Sequence, residues 1–320
     1  MPAHPSANPP CIVTLTVNPA IDGACETEKI QPIRKIRTSK EHFTPGGGGV
    51  NVTRVIHELG GQARALYMAG GATGPVLDAL IERLGLDHHT IPIAGDTRIS
   101  QVVFERSSGL EYRFVPEGPT ISERECAACL AAIEDTNCDY LVASGSLAPG
   151  MPNHFYTRVQ DIAARKGAKF VLDTSGDELK ASLARGGVHL VKPSIGEFES
   201  LIGRKLGSPA EQDEAIAAYA RTGAVDYLTV TLGRDGAVFA DREGLLRLKS
   251  PEVETKSAVG AGDSFVGAMT YALALGRRPR EAFAYGVAAG TAAVLRQGPY
   301  LCDRADVERL YAEITRGVAL

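Results

Sequence analysis

Hydrophobic residues along the chain follow two patterns that alternate with each other. Short apolar runs rich in β-branched residues, such as CIVTLTV and YLTVTL, are typical of strands buried on both faces. Between them lie segments with apolar residues at helical spacing, such as VNVTRVIHELG. Several of these segments end at a glycine, which is common just after a helix: Gly60, Gly85, Gly167 and Gly276. Repeated strand–helix units predict an α/β fold with a mainly parallel sheet flanked by helices.

Two stretches break this alternation. Residues 23–43 are polar and extended without a helical period, and residues 99–115 have the pattern of two strands around a turn at Ser107-Ser108-Gly109. We predict that residues 23–43 and 97–116 pair into a small β-sheet, which covers the main domain as a lid or packs on another subunit. The rest of the chain is then a disordered lead-in at 1–11 and a main domain formed by 12–22, 44–96 and 117–320.

Toward the C-terminus the pattern changes again. The segment GAVFADREGLLRLKS indicates an antiparallel hairpin, because two apolar runs flank a short polar turn. Two apolar helices follow it, from about Asp263 to Leu275 and from about Arg280 to Gln297.

Composition and charge narrow the classes of function. The chain has 320 residues, of which 44% are hydrophobic, and this is enough for a substantial core. Its formal net charge of −4 argues against nucleic acid or an anionic membrane surface as the main partner. No apolar run approaches the roughly 20 residues that a membrane helix needs. The start, MPAHPSANPP, lacks the basic and apolar regions of a secretion signal.

The six cysteines are scattered along the chain, which favours free thiols and a reducing cytoplasm. Cys126 and Cys129 have C-x-x-C spacing, but they lie within an amphipathic helical pattern. Because no second cysteine pair or histidine cluster completes a zinc site, we expect both thiols to be free and at least half-buried.

A glycine-rich corner, PGGGGVNVTR from Pro45 to Arg54, connects a predicted strand to a predicted helix. Without Cβ atoms, this backbone can be approached closely by a ligand, and Asn51 adds an amide on the first helical turn. The same glycines also fit a tight loop with no ligand. The run is neither a Walker A loop nor a dinucleotide-binding fingerprint, because the residues and spacing of both motifs are missing.

A second glycine segment, SAVGAGDSFVGA, precedes an apolar helix. Gly260-Ala261-Gly262 is suited to an anion-binding loop at a helix N-terminus. The acid that follows, Asp263, is unexpected in such a site. In one interpretation Asp263 or Ser264 is simply the helix N-cap. In the other, the acid takes part in chemistry on the bound anion.

Other charged residues could form part of a binding site only if the fold brings them close together. Asp22 follows a predicted first strand, at the edge where ligands of open α/β sheets bind, although a turn aspartate is the simpler interpretation. A phosphate-bearing substrate would need two or three basic residues of the inserted stretches to converge, and the candidates are Arg34, Lys35, Arg37, Lys40 and Arg98.

Taken together, these segments resemble the ribokinase-like (PfkB) family of carbohydrate kinases. The family has GG-x-G-x-N-x-A/T-R near its start and G-A-G-D near its end, here Gly46–Arg54 and Gly260–Asp263, and KPS-x-x-E and TLG-x-x-G lie between them. The resemblance extends from about Ile12 to about Tyr311. It implies a ribokinase-like fold with a β lid.

Within the family, PGGGGVNVTR, EYRFVPEG, SGSLAPG and VAAGTAAVLRQGPYLC are similar to the minor bacterial 6-phosphofructokinase branch. The implied reaction is transfer of phosphate from ATP to fructose 6-phosphate. Kinases of fructose 1-phosphate and tagatose 6-phosphate typically have GGKG in the first motif, where this chain has Gly48. They remain alternatives, as do a nucleoside kinase of the same fold and a non-catalytic sugar-phosphate sensor.

The resemblance also implies roles for individual residues. Asp263 would be the general base, and the N–H groups of Gly260, Ala261 and Gly262 would form an anion hole. Residues near the first motif would hold the sugar hydroxyls: Asp22, Gly46, Gly47 and Asn51. The phosphate of the sugar would be held by Arg98, by Ser146 and by two lid residues of this chain or of a partner subunit, Lys35 and Arg37.

The implied cofactors are ATP and Mg²⁺, and a potassium-like cation beside the anion hole is left open. The ATP site would be lined by six residues: Lys192, Ser194, Thr231, Gly233, Gly236 and Ser257. Glu197 would help to place Mg²⁺ through water. The chain departs from the family at Ser194, where an asparagine is usual, and at Ala258, where many members have threonine. A homodimer formed through the lid is the implied assembly.

Overall fold

The computed structural model describes residues 11–296, 298, 300–318 and 320. The predicted disordered lead-in lies outside the described residues, except for Cys11. In the described part, the strands are β1 (Ile12–Thr16), β2 (Ala20–Thr27), β3 (Ser39–Gly46), β4 (Arg64–Gly70), β5 (Asp87–Ile93), β6 (Arg98–Glu105), β7 (Leu110–Phe114), β8 (Tyr140–Ser144), β9 (Lys169–Asp173), β10 (Val188–Val191), β11 (Val225–Thr231), β12 (Ala237–Ala240) and β13 (Leu245–Leu248).

The helices of the same residues are α1 (Gly48–Glu58), α2 (Gly74–Arg83), α3 (Glu123–Asp135), α4 (Phe155–Lys166), α5 (Gly176–Arg185), α6 (Ile195–Ile202), α7 (Pro209–Ala220), α8 (Ala261–Ala274), α9 (Pro279–Ala293) and α10 (Arg304–Thr315). The four glycines expected just after helices, at 60, 85, 167 and 276, all have positive φ, which confirms their C-terminal positions.

A large sheet forms the centre of the molecule. Among the described residues its order is β13-β12-β11-β10-β9-β8-β1-β4-β5. The pairs from β11 through β5 are parallel, and the β11–β12 and β12–β13 pairs are antiparallel. The mainly parallel sheet and the C-terminal hairpin are therefore confirmed.

Helices bury both faces of this sheet. One core contains apolar side chains of α3 to α7 and the other contains those of α1, α8, α9 and α10. Strands such as β1 and β8 are buried at every position, which explains their unbroken apolar sequences. Helix α8 begins two residues earlier than predicted, and α9 ends at Ala293.

The two stretches that interrupt the strand–helix pattern form a separate small sheet of order β3-β2-β6-β7. β2 pairs antiparallel with β3 and parallel with β6, and β6 pairs antiparallel with β7. The small sheet begins earlier in the chain than predicted, because β2 starts at Ala20. Asp22 therefore lies inside β2, paired with Thr44 and Ser100, rather than in a turn after β1.

Cys126 and Cys129 are buried free thiols on α3, and burial raises the pKa of Cys126. The structural interpretation of this C-x-x-C pair is thus confirmed. Over the part of the chain that the structure describes, no helix is both long enough and apolar enough to span a bilayer.

Candidate active site

The candidate site lies at the carboxyl edge of the large sheet, where several parallel strands end side by side. Asp173 ends β9 and Lys192 follows β10, while α1 and α8 both begin at this edge. Ligands of open α/β sheets gather at such an edge, because loops and helix N-termini converge there. The two glycine-rich motifs, which are more than 200 residues apart in sequence, are in hydrogen-bond contact here.

The start of α8 is shaped by Gly260. This residue has φ 73° in the left-handed region and is the N-cap of the helix, with no side-chain capping bond among the described residues. This φ is strained for any residue other than glycine, and a Cβ on Gly260 would also lie 2.4 Å from Leu301 Cδ2. The N–H groups at the first turn of a helix have no partner within that helix, so those of Ala261 and Gly262 are suited to an anion.

Asp263 does not act as the N-cap, which overturns that interpretation of the motif. Its carboxylate Oδ2 accepts a hydrogen bond of 2.9 Å from Asn51 Nδ2 at the start of α1. Burial, with Asp173 nearby, raises the pKa of Asp263 to about 6, although the bond from Asn51 and the charge of Lys192 oppose this shift. A carboxylate with this pKa can take a proton near neutral pH.

Arg54 links Asn51 to the second acid of the site. Its Nη1 donates to Asn51 Oδ1 at 2.9 Å and to the Pro45 carbonyl at 2.8 Å. Burial raises the pKa of Asp22 to about 6, against the opposing charges of Arg54 and Arg98. A Cβ on Gly46 would lie 2.0 Å from Asp22 Oδ2, so a side chain at this position would clash with the carboxylate. The predicted group Asp22, Gly46 and Asn51 is thus brought together.

Gly47 completes the corner before α1. Its φ of 103° is in the region that favours glycine, and a Cβ there would lie 2.7 Å from Thr16 Cγ2. The glycine run is therefore required by backbone geometry and also opens the backbone beside Asp22.

Lys192 lies next to Gly262, which is in the first turn of α8. Its Nζ is 3.3 Å from Asp173 Oδ1 and would be 3.3 Å from a Cβ on Gly262. Burial by itself would lower the pKa of Lys192, but Asp173, Glu197 and Asp263 together raise it. Lys192 therefore carries a buried positive charge beside the anion-binding turn.

Ser194 and Glu197 form the N-cap of α6. Ser194 Oγ and N both donate to Glu197 Oε2, at 2.8 and 2.7 Å, and Glu197 N donates back to Ser194 Oγ. The serine that replaces the family asparagine is thus an N-cap residue. Ser194 also bridges Thr231 at the end of β11, and Gly233 and Gly236 flank the short turn that follows.

Ser257 is buried in the loop before α8 and contacts the small sheet, as its Oγ is 3.3 Å from Glu111 Oε2. Ser146 is exposed in the loop after β8. The residues predicted for ATP thus lie around the ends of β10 and β11 and the start of α8.

The predicted phosphate-binding residues are not all brought together. Arg98 is close to Asp22, but three of its N–H groups donate to the carbonyls of Asn18, Pro19 and Pro116. Lys35 and Arg37 are exposed in the connection between β2 and β3. That connection begins after Thr27, five residues along β2 from Asp22, which is about 17 Å.

Two important residues were missed by the sequence analysis. Asp173 could have been found by the argument used for Asp22, since an acid stands at the end of the strand KFVLD. Arg54 was included in the motif but not recognised as the link between Asp22 and Asn51, because only the fold brings Asp22 close to it.

Comparisons with known proteins show which family the chain resembles. The family model "pfkB family carbohydrate kinase" matches residues 14–306. The chain is 39% identical to the ATP-dependent 6-phosphofructokinase isozyme 2 of Escherichia coli over 95% of this chain and 99% of that protein. It is 38% identical to the isozyme 2 of Mycobacterium tuberculosis, over 97% and 91% of the two chains.

Solved structures give the same result. The E. coli phosphofructokinase-2 in complex with fructose-6-phosphate has a TM-score of 0.91 and 38% identity, with 96% of this chain and 100% of that chain covered. An Arabidopsis thaliana ribokinase shares the fold at a TM-score of 0.72 and 19% identity, over 95% and 98% of the two chains. The protein belongs to the pfkB family of carbohydrate kinases.

Proposed function

We propose that the protein is an ATP-dependent 6-phosphofructokinase, which converts fructose 6-phosphate and ATP to fructose 1,6-bisphosphate and ADP. The observation that carries this proposal is that the partly buried carboxylate of Asp263 lies in the first turn of α8, beside N–H groups that have no partner within the helix. An acid in an anion site is useful when the anion is a group in transfer, because the attacking hydroxyl must lose a proton.

In the proposed reaction, the sugar hydroxyl attacks the terminal phosphorus of ATP in line with the leaving ADP oxygen. Asp263 accepts the hydroxyl proton as the new O–P bond forms and the bond to ADP breaks. The N–H groups of Ala261 and Gly262 stabilise the charge on the phosphoryl oxygens. Lys192, held by Asp173 at 3.3 Å, adds a fixed positive charge on the ATP side.

The sugar would bind against α1 and β2. Asp22 and Asn51 supply acceptors and donors for its hydroxyl groups, and Gly46 and Gly47 leave room for it. Arg98 has five N–H groups, of which three hold the backbone, so two are left for the phosphate of the sugar. Ser146 would complete this contact from the loop after β8.

Lys35 and Arg37 would serve the site of a second copy of the chain. Within one chain they stand at the far end of β2 from Asp22, so a contact in trans suits them better. The outer face of the small sheet supports a homodimer, since it exposes four large apolar side chains: Phe43, Ile99, Leu110 and Phe114. One E. coli relative is described as a tetrameric inhibited form, so larger assemblies exist among similar proteins.

ATP would lie along the ends of β10 and β11, lined by the six residues predicted for it, and Mg²⁺ would offset part of the negative charge of its phosphates. The described residues contain no group of three or more metal-ligating side chains. This fits Mg²⁺, which keeps several waters and binds mainly to substrate phosphates, with Glu197 acting through water. A structure of an E. coli relative contains potassium, which makes a monovalent cation near the anion hole a reasonable expectation. Six free cysteines agree with a reducing cytoplasm.

One observation favours fructose 6-phosphate over the alternative sugar phosphates. A Cβ on Gly48 would lie 2.2 Å from Ser144 Oγ and 2.9 Å from the Gly145 nitrogen. The lysine that is typical of the fructose-1-phosphate and tagatose-6-phosphate kinases therefore cannot be accommodated without movement of the backbone at residue 145.

The decisive experiment is an ADP-release assay with five acceptors: fructose 6-phosphate, fructose 1-phosphate, tagatose 6-phosphate, ribose and adenosine. We expect the highest kcat/KM with fructose 6-phosphate. A higher value with another acceptor would reassign the substrate. ADP release with none of them, alongside measurable sugar-phosphate binding, would instead support a non-catalytic sensor.

A further inference from the structure

The inner face of the small sheet contacts the loop that leads into the anion-binding turn. Glu111 on β7 lies on this face, opposite Phe104, and its Oε2 is 3.3 Å from Ser257 Oγ. Ser257 is 5% exposed, whereas the Glu111 side chain is 19% exposed. A carboxylate of the small sheet is thus in direct contact with a buried hydroxyl three residues before Gly260.

The hydrogen bonds of Ser257 give this contact a direction. Val259 N donates to Ser257 Oγ at 3.3 Å, so the oxygen accepts from the backbone just before Gly260. Its single proton is then free to be donated to Glu111, which as a carboxylate is an acceptor only. The two bonds form a short chain from β7 to the backbone of the anion-binding turn.

A second contact connects the same two regions. His42 of β3 stacks on Tyr300, with ring centroids 5.3 Å apart, and the next residue, Leu301, packs against Gly260. The small sheet therefore touches both loops that flank the start of α8. A cavity of about 280 Å³ remains between these contacts, lined by both His42 and Glu111.

We infer that Glu111 is a positioning residue for phosphoryl transfer: by accepting a hydrogen bond from Ser257, it fixes the backbone N–H groups that begin α8 when the small sheet covers the site. This inference rests on the proposed roles of Gly260–Asp263. In an alternative role, the Glu111 carboxylate would compete with the ATP phosphates for the hydroxyl of Ser257. The first role predicts a loss of kcat when Glu111 is removed, and the second predicts tighter ATP binding.

The kinetic test compares Glu111→Ala, Glu111→Gln and Ser257→Ala. We expect Glu111→Ala to lower kcat about tenfold, the effect of losing one hydrogen bond to a charged group, with little change in KM for the sugar phosphate. Glu111→Gln should recover most of kcat, because its amide oxygen still accepts from Ser257. In the double variant with Ser257→Ala, the two losses should not multiply. A lower KM for ATP with unchanged kcat in both Glu111 variants would overturn the inference.

A second measurement does not depend on turnover. Hydrogen exchange of the unliganded protein should be about tenfold faster at Val259, whose N–H donates to Ser257 Oγ, in Glu111→Ala and unchanged there in Glu111→Gln. The matched control is Glu28→Ala, which removes a carboxylate just after the end of β2, one that pairs with Arg106. Equal protection in wild type and Glu111→Ala would contradict the inference. If only the proposed function is wrong, the exchange difference remains while no acceptor in the ADP-release assay is phosphorylated.

Discussion

The carboxyl edge of the large sheet and the outer face of the small sheet both hold residues in unusual places. At the edge, ionisable side chains are withdrawn from full contact with water: Lys192 is buried, and Asp22, Arg54 and Asp263 are partly buried. On the outer face of the small sheet, large apolar side chains such as Phe43 and Phe114 are about half exposed, at 51% and 56%. Each arrangement has an energetic cost that a merely structural region would avoid.

The two regions differ in what offsets this cost. At the edge, the chain itself supplies opposite charges and hydrogen bonds, because Arg54 is flanked by Asp22 and Asn51, and Lys192 by Asp173. Among the described residues, nothing covers the exposed apolar groups on the outer face of the small sheet in this way. The comparison supports the two proposals made above, that the edge binds the substrates and that the outer face packs against a second copy of the chain.

The largest expected effect is that of Asp263→Asn. We expect kcat to fall about a thousandfold, because the hydroxyl proton loses its acceptor, whereas the asparagine can still accept from Asn51. Steady-state kinetics with fructose 6-phosphate, together with a titration of sugar-phosphate binding, would measure this. Turnover close to that of wild type would refute the assignment of the base.

Gly260→Ala should have the next largest effect. The new Cβ would be 2.4 Å from Leu301 Cδ2 at a φ of 73°, so the first N–H groups of α8 should move. We expect kcat to fall about tenfold to a hundredfold. The matched control is Gly276→Ala, which has a similar φ of 80° and no neighbour within 4 Å of the new Cβ. If both variants lost activity equally, strain in the helix and not the anion site would be responsible.

A change on the outer face should break assembly and leave the fold intact. The double variant Phe43→Glu with Phe114→Glu replaces two exposed rings with carboxylates. Because like charges would then face each other across the proposed interface, we expect monomers in size-exclusion chromatography with light scattering. KM for fructose 6-phosphate should rise about tenfold, since Lys35 and Arg37 of the second copy would be lost. Val76→Glu, on the exposed side of α2, is the control and should stay assembled. An unchanged mass for the double variant would argue against this interface.

The smallest expected effect concerns stability. The pKa of Asp263 is raised from 3.8 to about 6, so the folded chain binds a proton more tightly than the unfolded chain, and stability falls as pH rises from about 4 to about 6. At pH 7, the free energy of unfolding of Asp263→Asn should therefore be about 1 to 3 kcal/mol higher than that of wild type. Urea unfolding at pH 7 and at pH 4 would test this, because the difference should be much smaller at the lower pH, where the folded chain is protonated at Asp263 and the unfolded chain partly so. A variant less stable than wild type at pH 7 would show that Lys192 and Arg54 need the charge of Asp263.

The sequence was sufficient for the elements whose pattern is local. Apolar strands and helical spacing predicted the parallel sheet, and glycine at helix ends predicted C-terminal positions such as Gly167. The motifs around Asn51 and Asp263 also predicted a site, because each contains a backbone that only glycine permits. Local pattern does not define every element boundary: it places Asp22 after the first strand, whereas Asp22 lies within β2, because its pairing with Thr44 and Ser100 joins distant segments.

By itself, the sequence determined the fold class, the two glycine motifs and the identity of the acid beside the anion-binding turn, because these depend on local spacing and on residue type. The tertiary structure alone decided which charged and polar side chains contact one another. It placed Arg54 between Asp22 and Asn51, set Lys192 against Asp173, and brought Glu111 of the small sheet to Ser257. These contacts join residues far apart in the chain. Their strength depends on burial, which no single segment of sequence specifies.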